Sequence, residues 1–176
     1  RSRPAVRRQA ALLRLSSEII AAHTVEEVCR SVVDGLHDDA LGYDFLGLFL
    51  VEDRTGDRVL AARAGWPDAR AGWRVPPGQG LSERSLLDGK LHYSADVQQD
   101  PRYVPSLNSG AEIDIPLLAD GRPIGVLVVE SAQPHAFTDK DFEILTAAAN
   151  QASLAIGRLR LLSGEPLPPP PARTDL

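Results

Sequence analysis

Two pairs of apolar segments, each joined by a tight turn, place the strongest constraint on how this chain can fold. The pairs are residues 45–52 with 58–66 and residues 111–118 with 124–131. The second pair is joined by Asp120-Gly121, a residue pair that two-residue hairpins prefer. The first and last of these segments are apolar on both faces, so each must be covered on both sides. The sequence therefore predicts an antiparallel sheet whose two faces are both buried.

Helical periodicity surrounds the two hairpins. The predicted helices are residues 5–22, a helix beginning after Thr24, a short helix over 81–87, and a last helix beginning after Thr138 and ending at Gly164. Thr24 and Glu27 have the spacing of a capping box, and Gly89 is placed to end the short helix. The order helix–helix–hairpin–helix–strand–loop–hairpin–helix indicates an α+β domain.

The first and last helices carry heptad-like stripes. These are Val6, Ala10, Leu13, Ser17 and Ile20 on the first helix, and Phe142, Leu145, Ala149, Ala152, Ile156 and Leu159 on the last. Small side chains at Ala149 and Ala152 would let another helix approach closely. We therefore expect a homodimer through a bundle of the terminal helices.

The segment between Tyr93 and Glu112 lacks regular periodicity, although covered strands flank it. A loop over such a sheet must satisfy its own backbone or leave a cavity for water or ligand. The candidate ligand-binding residues are Trp73, Tyr93, Asp96, Arg102, Tyr103, Ser109 and Glu112. This mixture suits a small, polar, partly planar molecule, with Arg102 as the counter-charge for an anionic group. The alternative is that Asp96 and Arg102 only pair with each other.

Composition excludes several classes of function. Nineteen Lys and Arg against 24 Asp and Glu give a net charge of −5, which argues against a nucleic-acid binder. No apolar run approaches the roughly 18–20 residues that cross a bilayer. The single cysteine excludes a disulfide scaffold and favours a cytoplasmic location. The four histidines show no metal-ligand spacing, and Glu112 with Asp114 could serve in acid–base chemistry or equally as pocket lining. We expect no catalytic residue, metal or cofactor.

Several segments together resemble the GAF domain family. They are residues 78–81 (GQGL), 94–97 (SADV), 100–103 (DPRY), 115–117 (IPL), 121–131 (GRPIGVLVVES) and 136–141 (AFTDKD). The resemblance covers roughly residues 16–162. It implies a six-stranded antiparallel sheet flanked by helices, in a GAF/PAS-like arrangement. It also implies a cytoplasmic small-molecule sensor or dimerising module of bacterial signalling proteins.

Better-defined relatives of this family are matched only in part. Free methionine sulfoxide reductases share the fold and use cysteines around the pocket, whereas this chain has Cys29 alone, in the apolar stripe of a helix. Bilin-binding relatives also need a pocket cysteine. Cyclic-nucleotide-binding relatives share Phe137 and Asp141, but this chain has Glu130-Ser131 where they carry Asn-Lys. Phe137 and Asp141 equally suit a core plug and a helix cap.

The predicted organisation has three parts. They are a connecting helix over residues 1–23, a sensory domain over 24–162, and a proline-rich tail or linker over 163–176. Because the chain contains no Met, we expect it to be a piece of a longer protein. The predicted function is non-catalytic regulation of an attached or partner output domain of undetermined type. A reductase-like enzyme and a purely structural dimerisation module are the alternatives. Prolines after Gly164 would break a continuous helix, so rigid coupling is expected through the first helix.

Overall fold

The two predicted hairpins form the centre of a six-stranded antiparallel sheet. The computed structural model describes residues 4–66, 72–105 and 109–165. Its helices are α1 (Pro4–Ala21), α2 (Val25–His37), α3 (Glu83–Asp88) and α4 (Asp139–Ser163). Its strands are β1 (Phe45–Val51), β2 (Arg58–Ala64), β3 (Arg74–Val75), β4 (His92–Ser94), β5 (Ala111–Ala119) and β6 (Arg122–Ser131). Within the described residues the strand order is β3-β2-β1-β6-β5-β4, which confirms the predicted α+β class.

Helices α1, α2 and α4 cover one face of the sheet and form the larger core with it. Alternation along β5 sends Ile113, Ile115 and Leu117 into this core. Local caps fix where two of the helices begin. The Thr24 hydroxyl accepts from the Glu27 amide at 3.1 Å, and the Asp141 carboxylate accepts from the Thr138 amide at 2.8 Å.

The predicted stripe on α1 lies on the side of the helix that faces solvent. Val6, Leu13 and Ile20 are 57%, 60% and 69% exposed. The residues that pack into the core are instead Ala11, Leu15 and Ile19. The row that was expected to join a helix bundle is therefore exposed on this chain, and a different row packs into the core.

The stripe on α4 has the opposite fate. Ala149 and Ala152, expected to admit a second copy of the chain, are fully buried in the domain's own core. Their small size lets α4 lie close to the sheet and α2, so they cannot belong to a dimer contact. The exposed apolar residues of α4 are Leu154, Leu161 and Leu162.

The second face of the sheet is covered by short elements. Strand β3 pairs with β2, and α3 packs against β5 and β6. The sequence did not predict β3, because its two residues lie in a stretch punctuated by Pro and Gly. Helix α3 begins at Glu83 rather than at residue 81. This face carries the smaller core cluster, which includes Phe49, Trp66 and Val128.

Helix α4 ends at Gly164, as predicted. The backbone of Gly164 is left-handed, with φ of 74°, and its amide donates to the Arg160 and Leu161 carbonyls. The proline-rich tail from residue 166 onward lies outside the described residues. No helix in the described part of the chain is long and apolar enough to cross a membrane.

Two glycine substitutions test the packing of the sheet. A Cβ at Gly125 would lie 2.4 Å from the Phe49 carbonyl oxygen, where β1 and β6 pair. Gly125→Ala should therefore destabilise the domain by about 1–3 kcal/mol in urea unfolding. A Cβ at Gly157 meets nothing within 4 Å, so Gly157→Ala in the interior of α4 should stabilise by about 0.5–1 kcal/mol. Equal effects of the two substitutions would contradict this packing.

Candidate functional site

A small cavity of about 40 Å³ lies on the face of the sheet opposite α1, α2 and α4. Its walls come from β1, β2, β5 and β6 and from the segments 73–82 and 103–104. The charged and aromatic residues that line it are Phe49, Arg58, Trp66, Trp73, Tyr103, Glu112 and Glu130. The cavity is thus roofed mainly by the segment 73–82, and the predicted aperiodic segment 93–112 contributes Tyr103 and Val104 to the roof.

Three aromatic rings form one wall of the cavity. The ring centroids of Phe49, Trp66 and Trp73 are 6.0 Å apart in each of the three pairs. The absence of a side chain at Gly47 makes room for the Trp66 indole, because a Cβ there would lie 2.9 Å from Trp66 Cη2. Trp66 and Trp73 are the two tryptophans of the chain.

Arg58, at the start of β2, is fully buried. Its Nη2 lies 3.1 Å from the Glu83 carboxylate and donates to the Pro76 carbonyl at 3.0 Å. The guanidinium also donates to the Gln79 carbonyl and the Ser82 hydroxyl. Burial lowers the pKa of Arg58 from its usual value, while Glu83 and other nearby carboxyls oppose that shift. One guanidinium thus fastens the segment 76–83 to the sheet.

Three buried carboxyl groups lie beside Arg58. Glu112 on β5 is opposite Glu130 on β6 in the strand register, and Asp114 lies two residues along on the same face. Burial raises the pKa of Glu112 well above its usual value, and the charges of Asp114 and Glu130 add to that effect. Burial also raises the pKa of Asp114. The Nη2 of Arg84 lies 3.5 Å from the carboxylate of Asp114, and its positive charge partly offsets the effect of burial on the pKa of Asp114.

Two donors that belong to cavity-lining residues have no acceptor among the residues that the structure describes. They are the Nε–H of Arg58 and the Nε1–H of Trp66, both buried. A buried donor without an acceptor costs about 1–3 kcal/mol. Two such donors at one cavity indicate a place where a hydrogen-bond acceptor would be stabilised.

Three of the seven predicted site residues come together in the cavity: Trp73, Tyr103 and Glu112. Tyr93 does not. It pairs with Ile113 on β5, and its ring packs on Phe137 and Phe142 at 6.1 and 5.2 Å, on the helix-covered face. Ser109 is buried but does not line the cavity.

Asp96 and Arg102 have local roles instead. The Asp96 carboxylate accepts from the Gln98 amide at 3.1 Å and caps a short 3-10 helix, Val97–Gln99. Arg102 is 57% exposed in its side chain and makes two hydrogen bonds to Asp100, at 3.0 and 2.9 Å. The pairing of Asp96 with Arg102, which was the alternative to a role in ligand binding, is therefore not formed. The guanidinium that reaches the cavity is that of Arg58.

Sequence reasoning missed Arg58, Phe49, Trp66 and Glu130. Glu130 could be found only in part: the Asp120-Gly121 turn pairs β5 with β6, but a register shift between Leu117 and Leu118 brings Glu130, rather than Val129, opposite Glu112. Arg58 gave no comparable local signal, since its partners are carbonyls and side chains more than 17 residues away along the chain.

Cys29 lies on the other side of the sheet. Helix α2 holds it fully buried in the larger core, and burial raises its pKa to about 12. A thiol of this kind is not ionised near neutral pH and is a poor nucleophile. Among the described residues, no group of three His, Cys, Asp or Glu side chains could hold a metal ion.

A six-stranded antiparallel sheet, with helices on one face and a roofed polar cavity on the other, is the fold of the domain family that the sequence resembled. The family model described as "GAF domain" matches residues 22–157. The chain belongs to the GAF domain family, which confirms the resemblance.

Individual relatives include a chemotaxis protein and an enzyme. Protein YtsP of Bacillus subtilis (strain 168) is 28% identical over 116 residues, which are 65% of this chain and 69% of that protein. A solved structure of a methyl-accepting chemotaxis protein, residues 122 to 287, is 29% identical with a TM-score of 0.74, covering 84% of this chain and 98% of that one. Free methionine-R-sulfoxide reductase from Neisseria meningitidis, solved with its substrate, is 26% identical with a TM-score of 0.81, covering 92% and 95%.

The raised pKa of Glu112 gives a pH prediction. The folded state holds this proton more tightly than the unfolded chain, whose Glu pKa is about 4.3, so the stability it contributes is lost as pH rises through the folded-state pKa. Glu112→Gln removes this titration. We expect the variant to gain stability relative to the unaltered protein as pH rises from 5 to 8. The gain should be about 1.4 kcal/mol for each pH unit of this range that lies below the folded-state pKa of Glu112.

Urea unfolding at the two pH values measures the effect. Glu143→Gln, at an exposed position on α4, is the matched control and should follow the unaltered protein at both pH values. Parallel behaviour of the two variants would show that Glu112 titrates normally.

Proposed function

We propose that this GAF domain is a non-catalytic sensory or regulatory module of a bacterial signal-transduction protein. It binds a small molecule in the cavity of Arg58, Trp66 and Glu112, and it regulates an attached or partner output domain. The observation that carries the proposal is the buried mixture of aromatic rings, carboxyls and unpartnered donors around one cavity. Buried polar groups are otherwise nearly always paired.

A route from ligand to protein surface supports a regulatory role. Arg58 and Glu83 hold the segment 76–83 over the cavity, and this segment leads directly into α3. A ligand that competes for Arg58 or packs on Trp66 would change how firmly the segment is held. A ligand shifts a conformational equilibrium when it binds one conformation of the protein more tightly than the other. Here the two conformations would differ in the position of the segment 76–83.

A reductase-like enzyme is the second candidate, favoured by the similarity to the Neisseria meningitidis protein. Thiol chemistry in the cavity needs an accessible thiolate there. The one cysteine of this chain is buried in the other core, with its pKa raised to about 12. We therefore favour the non-catalytic role. Sustained turnover of free methionine sulfoxide with a thiol reductant would overturn it.

We further propose that the domain forms a homodimer through α1 and α4. Val6, Leu13 and Ile20 follow one another at intervals of seven residues on the exposed side of α1. Leu154 and Leu161 repeat the interval on α4, and Arg158 donates to the Ile20 carbonyl at 3.4 Å, which places the two surfaces side by side. A second copy with the same two helices would bury both apolar rows in a four-helix contact.

Ligand binding is tested with purified protein and a panel of cellular metabolites. Native mass spectrometry identifies any molecule that the protein retains, and thermal shift measures its stabilising effect. Tyr103→Ala should reduce that stabilisation by at least half, because Tyr103 lines the cavity. Arg102→Ala is the control and should retain it, because Arg102 is exposed and bonded to Asp100. Full retention by both variants would place the ligand elsewhere.

Dimerisation is tested with charged substitutions on the exposed rows. Leu13→Glu and Leu154→Glu should each convert the dimer to a monomer in light scattering at micromolar concentration, since the charge would lose its water in the contact. Leu87→Glu is the matched control, because Leu87 is equally exposed but lies on α3. If the unaltered chain is a monomer at high micromolar concentration, the proposed dimer is wrong. If, in addition, no ligand is found, the proposed sensory role is wrong as well.

A further inference from the structure

The hydrogen-bond donors of the cavity lie on the β2 side. The Nη atoms of Arg58 are used by Glu83, Ser82 and two carbonyls, while its Nε–H has no acceptor within residues 4–66, 72–105 and 109–165. Trp66 follows β2, and its Nε1–H likewise has no acceptor within those ranges. Both side chains are more than nine-tenths buried and line the same cavity. A ligand that satisfies them must present an oxygen or nitrogen that accepts hydrogen bonds.

The acceptors of the cavity lie on the other side. Glu130 and Glu112 face each other on β6 and β5, and both line the cavity. Strand β1 separates β2 from β6, and Phe49 from β1 contributes to the floor. Carboxyl oxygens accept hydrogen bonds from N–H groups. The cavity is therefore complementary to a ligand that has a hydrogen-bond acceptor at one end and a hydrogen-bond donor at the other.

Charge and size narrow the chemistry of that ligand. An anion would lie against Glu112 and Glu130, where burial, together with the charges of Asp114 and Glu130, already raises the pKa of Glu112. A cation would lie against Arg58, which is fully buried. A volume of about 40 Å³ has room for about three water-sized groups, enough for a head group of a few heavy atoms. Aromatic faces on Phe49, Trp66 and Trp73 suit a planar group.

We infer that the cavity recognises a neutral, planar amide-type group, such as a carboxamide, a urea or a lactam. The carbonyl oxygen accepts from Trp66 Nε1–H and Arg58 Nε–H, and the amide N–H donates to the carboxyls of Glu112 and Glu130. This inference rests on the proposed sensory role and names the chemical class of its ligand.

Three probes of equal chain length test the class: propionamide, propionate and propylammonium. Because both tryptophans of the chain line the cavity, intrinsic fluorescence at constant ionic strength reports binding directly. Propionamide should give a saturable change with a dissociation constant at least about tenfold below those of the two ions. Tighter binding of either ion, equal binding of all three, or no saturation by any of them overturns the inference.

Two variants locate the amide in the cavity. Trp66→Phe keeps a ring but removes the N–H, so propionamide should bind about tenfold more weakly, read by Trp73. Trp73→Phe is the matched control, read by Trp66, and should change the affinity by less than about twofold. Thermal unfolding verifies that each variant folds. Unchanged affinity in a folded Trp66→Phe variant overturns the inference.

A second measurement needs no variant. N,N-Dimethylpropionamide keeps the carbonyl oxygen but has no N–H to donate to Glu112 and Glu130, so it should not saturate the fluorescence change. Affinity equal to that of propionamide overturns the inference. The sensory role is judged separately, because a retained metabolite that is an anion or a cation would uphold that role and reject the amide class.

Discussion

The burial of one charged side chain governs the cavity face of this domain. Arg58 has no contact with solvent, and a buried charge is tolerated only when it is paired and hydrogen-bonded. The hydrogen bonds and the ion pair of its guanidinium described above all go to a single stretch of chain, from Pro76 to Glu83. That stretch has little regular structure of its own, so its position over the sheet depends on the guanidinium. The helix-covered face needs no such device, because α1, α2 and α4 pack through apolar side chains.

Much of the fold could be predicted because its signals are local. The Asp120-Gly121 turn, the caps at Thr24 and Thr138, and the stop at Gly164 each act through residues a few positions away. Strand β3 could not, because its two residues are held in the sheet by pairing with β2 rather than by their own propensity. On α1 the pattern gave the correct helix and marked a row that is exposed, but it did not indicate which residues pack into the core. Ala11, Leu15 and Ile19 are as regularly spaced as the exposed row, and only tertiary packing chooses between them.

The candidate site was predicted less completely, for a related reason. Trp73, Tyr103 and Glu112 were found because the aperiodic middle of the chain had to lie against the sheet. Tyr93 was misplaced by one face, since strand register decides which side an edge residue takes. Arg102 was preferred to Arg58 because it lies within the loop that was expected to form the site. In the structure, however, the guanidinium of Arg102 is bound to the nearby carboxylate of Asp100. Long-range partners are what a single sequence does not display.

The alternation along β5 also bears on how the chain avoids misfolding. Odd positions of this strand, such as Ile113 and Ile115, enter the apolar core, while Glu112 and Asp114 point to the opposite face of the sheet, where Glu112 lines the cavity. Sliding β5 by one residue against β6 would drive two carboxyls into the helix layer and move the isoleucines to the polar face. Mispaired forms of this central hairpin are therefore disfavoured, because they would bury two carboxyls among apolar side chains. Glu112 and Asp114 thus help to specify how the two strands align, in addition to the place of Glu112 in the cavity wall.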